Sequence, residues 1–98
     1  MKKIECETEV SIFLEKMRRA IAKSSMKGIV SFECSEEEFT VVFERMGRSR
    51  IFFHLQKTEN GFKADFKKED IALSHAFFKK EVERDLTKIM QKFGASVD

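Results

Sequence analysis

The 98-residue sequence contains no proline, no tryptophan and no tyrosine, and it has only two cysteines and four glycines. Without proline or a low-complexity stretch, the chain offers no linker that would separate two domains. Residues 1–98 are therefore predicted to form a single α+β domain. Two cysteines, Cys6 and Cys34, are too few for a disulfide scaffold, and reduced thiols are expected, with a Cys6–Cys34 disulfide as the alternative.

The sequence also lacks a large excess of charge and any long hydrophobic run. The formal net charge is +2 and the isoelectric point is about 8.6, below the range typical of basic nucleic-acid-binding domains. No stretch approaches the ~18 apolar residues of a membrane span, and the first residues carry no apolar signal region. We therefore expect a cytoplasmic protein without a membrane span.

Phenylalanine supplies all eleven aromatic side chains, so the predicted core is aromatic but nearly free of polar groups. The clearest pattern lies in residues 71–93, where apolar side chains recur at steps of four, four, three and four. These side chains are Phe78, Val82, Leu86, Ile89 and Phe93. This spacing predicts a helix of about 20 residues and about 30 Å, with Gly94 as its stop.

Upstream of this helix, apolar and polar residues alternate with the period of two that is typical of strands. The alternating segments are residues 2–8, 29–34, 39–45, 50–57 and 62–67. A helix with the apolar spacing of an amphipathic surface is predicted between the first two, from residue 9 or 11 to residue 24. Asn60-Gly61 predicts a type I′ hairpin turn.

The loops of the strand region are short, which favours antiparallel neighbours. The sequence thus predicts an α+β fold of order β-α-β-β-β-α, with an antiparallel sheet of three to four strands. The long C-terminal helix should pack on one face of this sheet. A second topology omits the first strand and has the order α-β-β-β-α.

Two segments resemble the small polyhydroxyalkanoic-acid-system protein family. Residues 43–51 (FERMGRSRI) are similar to the hairpin of that family, and residues 78–86 (FKKEVERDL) are similar to its closing helix. The resemblance implies the fold more than a function. The chain departs from the family pattern at Phe32, where tryptophan is usual, at Arg50, where glycine is usual, and in having no Leu-Gly-Leu-Leu run.

Groups that could perform chemistry are few and widely spaced. Cys6, Cys34, His54 and His75 occur singly, without the close pairs that metal sites use, so no metal and no cofactor are predicted. A nucleophile pair would need Cys34 and His54 to meet across the sheet, and no orienting third group is evident. We therefore expect no enzyme activity.

A cluster of cations suggests one alternative function. Arg45, Arg48 and Arg50 surround a predicted hairpin turn, and Lys63 and Lys67 follow on the last strand. Guanidinium and ammonium groups on one hairpin could bind the phosphates of RNA. A solvated edge is the competing explanation, because a run of three glutamates precedes the neighbouring strand.

The main hypothesis is a non-catalytic binding protein that acts through a homodimer, a protein partner or an apolar small molecule. A helix over a phenylalanine-lined sheet could leave an apolar cleft beneath it. The residues expected on this inner surface, as a cleft or simply as a packed core, are Phe13, Phe43, Phe53, Phe66, Phe78 and Val82. Phe52, on the opposite sheet face, and Phe77, in excess of one helical stripe, are the candidate interface residues.

Overall fold

The computed structural model describes all 98 residues and contains six β-strands, two α-helices and one short 3₁₀ turn. The elements in chain order are β1 (Lys3–Cys6), α1 (Val10–Ala22), β2 (Val30–Cys34), β3 (Glu38–Glu44), β4 (Arg48–Lys57), β5 (Phe62–Asp70), the 3₁₀ turn (Leu73–His75), α2 (Lys79–Lys92) and β6 (Ser96–Val97). The predicted α+β class is confirmed.

The six strands form one antiparallel sheet in the order β2-β3-β4-β5-β1-β6. The predicted count of three to four strands is therefore too small. The first strand enters the sheet beside β5, where Ile4 pairs with Ala64. The last strand was not predicted, because a two-residue strand is too short to show an alternating pattern.

One face of the sheet carries the core and is covered by both helices. Strand register places Phe39 opposite Phe53 and Val41 opposite Ile51, and all four side chains are buried. The core cluster contains 22 buried residues from the sheet and the two helices. Burial of one such large apolar side chain stabilises the fold by about 1.5–3 kcal/mol, so this face supplies most of the stability.

The closing helix is shorter than predicted, with 14 residues in place of about 20. Residues 71–78 are not α-helical, because β5 continues to Asp70, opposite Arg50 of β4, and the chain then packs on the β3–β4 turn. The buried face of α2 consists of Val82, Leu86 and Met90. Neither α1 nor α2 has the length and apolar character needed to cross a membrane.

Two tight turns require glycine for different reasons. In the β3–β4 turn, Met46 and Gly47 have φ angles of 53° and 141°, in the region that favours glycine. Gly61 has no positive φ, so the predicted type I′ turn at Asn60-Gly61 is wrong. Glycine is needed at position 61 because a Cβ atom there would lie 1.9 Å from the carbonyl oxygen of Cys6.

Candidate functional site

A buried serine–histidine pair attaches the segment before α2 to the sheet. The hydroxyl oxygen of Ser49 accepts a hydrogen bond from the Ala72 N–H at 2.8 Å and lies 2.5 Å from Nδ1 of His75. Nε2 of His75 lies 2.7 Å from the carbonyl oxygen of Arg45, which can only accept, so Nε2 donates. In the neutral ring Nδ1 then accepts the Ser49 hydroxyl proton. Both side chains are fully buried. The pair therefore holds the fold together and is not accessible to a substrate.

The same segment also packs on the β3–β4 turn. The Ser74 hydroxyl donates a hydrogen bond to the carbonyl oxygen of Met46 at 2.8 Å. A Cβ atom at Gly47 would lie 2.8 Å from the Ser74 hydroxyl oxygen and 3.2 Å from the Ala72 Cβ. The turn and residues 72–75 are thus in direct contact, and their relative position is well defined.

Three large apolar side chains project into solvent from the β3–β4 turn and from the segment between β5 and α2. Met46 is 91% exposed, Leu73 is 94% exposed and Phe77 is 98% exposed. We refer to these three residues as the apolar rim. Single exposed apolar residues are ordinary on protein surfaces, but large ones grouped in one region are typical of interaction sites.

A cleft of about 480 Å³ lies beside the first half of α2, and the rim residue Met46 lines it. We refer to it as the α2 cleft. Its walls come from the α1–β2 connection, the β3–β4 turn, the segment before α2 and α2 itself. The lining residues are Ser25, Met26, Ile29, Arg45, Met46, Ser74, Phe78, Glu81, Val82 and Asp85. The volume lies within the range of small-ligand sites. Met26 and Val82, which are almost fully buried, provide an apolar floor.

The α2 cleft carries charges of both signs. The guanidinium group of Arg45 forms no ion pair within the chain, although it lines the cleft together with Glu81 and Asp85. These two carboxylates contact only Arg84, at 3.9 Å in each case, on exposed side chains. Ion pairs of this kind contribute little to stability, so these charges are available to a partner.

The structure separates the residues that were predicted to line an apolar cleft. Phe13, Phe43 and Phe53 belong to the packed core, with at most 1% of each side chain exposed. Phe78 and Val82 line the α2 cleft. Phe66, on β5, is 42% exposed. Its ring packs edge-on against that of Phe53, with 6.3 Å between the ring centroids.

The structure does not bring the predicted phosphate-binding cations together as free charges. Arg48 lies 3.6 Å from Glu33 and 3.4 Å from Glu44, and Lys67 lies 3.1 Å from Glu38. These carboxylates and cations lie on neighbouring or nearby strands and on the same face of the sheet. This face is turned away from the helices, and we refer to it as the outer face. Two of the five predicted cations are thus neutralised by neighbours.

Phe52 lies half-buried on the outer face and is covered by long cationic side chains. The guanidinium carbon of Arg50 lies 5.7 Å from the centroid of its ring, and the ammonium nitrogen of Lys68 lies 5.1 Å from it. Contacts of this kind are favourable cation–π interactions. Of the two remaining predicted cations, Lys63 lies on β5 and Arg45 lines the α2 cleft.

Neither thiol forms a reactive pair with the exposed imidazole of His54. Cys34 lies opposite Phe39 on the helix-facing side of the sheet, whereas His54 lies on the outer face. Partial burial raises the pKa of the Cys34 thiol, although the nearby positive charges of Arg18 and Lys57 act in the opposite direction. The thiol is therefore protonated at neutral pH. Both cysteines are free, and no three His, Cys, Asp or Glu side chains are grouped as metal ligands.

Sequence patterns missed several residues of this site. Met46 is the single apolar residue in a turn flanked by arginines, and this contrast was a usable signal. Leu73 lies within residues 71–93, which were predicted to form one helix, whereas α2 begins only at residue 79. The contact between Ser49 and His75 joins residues 26 positions apart and leaves no local trace in the sequence.

No protein-family model matches the chain, and neither a search of curated proteins nor a search of solved structures found a similar protein. The resemblance of residues 43–51 and 78–86 to the polyhydroxyalkanoic-acid-system family stays a prediction. Function is therefore inferred from the geometry of the rim and the cleft.

Proposed function

We propose that this protein is a non-catalytic interaction protein that forms a homodimer through the apolar rim and the α2 cleft. The observation that carries this proposal is the 91–98% exposure of Met46, Leu73 and Phe77 on chain held by buried hydrogen bonds. Because this backbone is already ordered, little conformational entropy is lost when a partner covers the three side chains.

A second copy of the chain suits this surface because it would bring an equally exposed set of apolar side chains. In a two-fold symmetric dimer the same patch contributes from both sides, so the rim of one protomer packs against the rim of the other. A large exposed side chain offers roughly 150–200 Å², so six rim side chains offer about 1,000 Å², close to the lower bound for a specific interface.

The charges of the cleft support the same arrangement. Arg45 has no carboxylate partner in its own chain, and Glu81 has only a weak one. Across a two-fold axis, Arg45 of each protomer can pair with Glu81 of the other. Such complementary pairs fix the orientation of partners and exclude incorrect ones.

An apolar small molecule is the second candidate for this site. Phe78, Val82 and Met26 give the α2 cleft an apolar lining, and its volume of about 480 Å³ suits a small ligand. In this case the protein would bind the molecule as a monomer, and Met46 of the rim would contact it.

Native mass spectrometry of the freshly purified protein tests the proposal. We expect a species of twice the 11.5 kDa chain mass for the wild type and the chain mass for Phe77→Glu. Ile12→Glu is the matched control, because Ile12 is an exposed apolar residue on α1, and this variant should remain dimeric. Circular dichroism should show that both variants are folded.

Two results would contradict the homodimer. A wild-type monomer that carries extra mass would favour the small-molecule alternative, and a dimer that survives Phe77→Glu would place the interface elsewhere. The proposed ion pair has its own test: Arg45→Glu should weaken the dimer, and the double variant Arg45→Glu/Glu81→Arg should restore it.

A further inference from the structure

Positive charge is concentrated in two stretches of the chain, which include the second half of α1 and the end of α2. The stretches 16–28 and 86–95 contain seven cations and no carboxylate, whereas the rest of the chain has 12 cations and 17 carboxylates. The seven cations are Lys16, Arg18, Arg19, Lys23, Lys27, Lys88 and Lys92. The small net charge of the whole chain therefore conceals a strongly basic region.

The basic region contains a groove of about 290 Å³ between α1 and the end of α2. Four of its six lining residues are cations, and none is acidic; the lining consists of Lys16, Arg19, Ala20, Lys23, Lys92 and Phe93. Of the four cations, only Arg19 has an ion pair, with Glu15 at 2.7 Å on exposed side chains. The helix dipole favours cations in a last turn but not at Lys16, in the middle of α1.

The geometry of the groove fits a chain of phosphates. Lys16 and Arg19 lie on one face of α1, Lys23 follows at the C-cap of the helix, and the three residues span about 10 Å. Phe93, partly exposed at the groove, offers an aromatic surface beside the cations. A positive groove with an aromatic side chain is the arrangement by which proteins bind single strands without sequence preference.

We propose that this groove binds single-stranded nucleic acid, with the phosphates between the α1 cations and Lys92 and a base against Phe93. The outer face of the sheet is less suitable, because Arg48 and Lys67 are already ion-paired there. A membrane surface is also less suitable, because neither basic stretch carries a large exposed apolar side chain that could insert into lipid.

Fluorescence anisotropy with labelled uridine and thymidine oligonucleotides of about 12 nucleotides tests this proposal. Neutralisation of three to four phosphates of a single strand predicts an affinity loss of roughly 20–50-fold between about 50 and 200 mM salt. The triple variant Lys16→Glu/Lys23→Glu/Lys92→Glu should bind at least tenfold more weakly and lose most of this salt dependence. Phe93→Leu should weaken binding and leave the salt dependence unchanged.

A matched control separates the groove from general charge. The triple variant Lys2→Glu/Lys57→Glu/Lys80→Glu changes the net charge equally at exposed lysines outside the groove and should retain the wild-type affinity, apart from a small general effect. An equal loss in both triple variants, or no binding at low salt, would overturn the proposal. Tighter binding to vesicles with anionic lipids than to the oligonucleotides would also overturn it, in favour of a membrane surface. Phe77→Glu should leave nucleic-acid binding intact, so this test is independent of dimer formation.

Discussion

Phe43 and Phe77 are the same residue type in opposite environments. Phe43, on β3, is fully buried, and its ring centroid lies 6.1 Å from that of His75 and 6.4 Å from that of Phe78. Phe77 directly precedes Phe78 and is 98% exposed. Strand alternation directs Phe43 inward, whereas the hydrogen bonds of Ser49 and His75 decide which of two successive phenylalanines faces the core. The core is thus set by local pattern and the rim by a long-range contact.

The largest expected effect on stability comes from truncation of the core residue Phe43. Phe43→Ala should reduce the free energy of unfolding by about 3–5 kcal/mol, because it removes a fully buried ring and leaves a cavity. Such a loss is a large part of the stability of a small domain. Urea denaturation followed by circular dichroism measures it, since the chain has no tryptophan or tyrosine for fluorescence. A loss below about 1 kcal/mol would mean that Phe43 is not a central core residue.

Removal of the buried Ser49 hydroxyl tests the contact between Ser49 and His75 that orients the rim. Ser49→Ala should cost about 1–3 kcal/mol, because the Ala72 N–H and the His75 Nδ1 lose their partner in a buried site. Amide hydrogen exchange at Ala72 should become faster. Ser74→Ala, which removes an exposed hydroxyl, is the control and should cost less. An equal cost for the two variants would contradict the assigned role of Ser49.

A smaller effect is expected from the ion pairs at the start of α2. Burial opposes the charge of Lys79, but Glu69 at 3.0 Å and Glu83 at 3.3 Å outweigh it and raise the pKa of Lys79 above 10.5. Because the folded state holds this proton more tightly, the stabilisation is complete below pH 10.5 and is lost as the pH rises through the raised pKa. Lys79→Met should cost less than about 1 kcal/mol at pH 8.

Urea denaturation of the wild type and of Lys79→Met at pH 8 and pH 11 checks the sign of this effect. The stability difference between the two proteins should shrink at the higher pH, where Lys79 of the wild type begins to lose its charge. A difference that is constant or grows with pH would show that the methylene stem of Lys79, rather than its charge, stabilises the start of α2.

The smallest expected effect on stability comes from truncation of the rim residue Phe77. Phe77→Ala should change the free energy of unfolding by no more than about 0.5 kcal/mol at a protein concentration that keeps the chain monomeric. At high concentration the wild type should gain stability from dimer formation and the variant should not. Thermal denaturation over a range of concentrations measures both. A large loss at low concentration would show that Phe77 packs within its own chain.

Local periodicity predicted much of the core side of this molecule. The helical spacing in residues 9–24 predicted α1, observed at Val10–Ala22, and alternation predicted β2, β3 and β4 to within two residues at each end. Phe13, Phe43 and Phe53, which lie in the predicted helix and strands, are buried. These predictions are accurate because a helix face or a strand face is determined by neighbours a few residues away.

The amino-acid sequence by itself determined the fold class, the antiparallel pairing and part of the core, since each depends on short-range spacing and turn length. Only the tertiary structure decided the remaining features: the extension of β5 to Asp70, the late start of α2, the pairing of β6 with β1 and the neutralisation of Arg48. It also decided which apolar side chains remain in solvent. Each of these features depends on residues that are distant in the chain and meet only when the sheet has formed, so no local pattern encodes them.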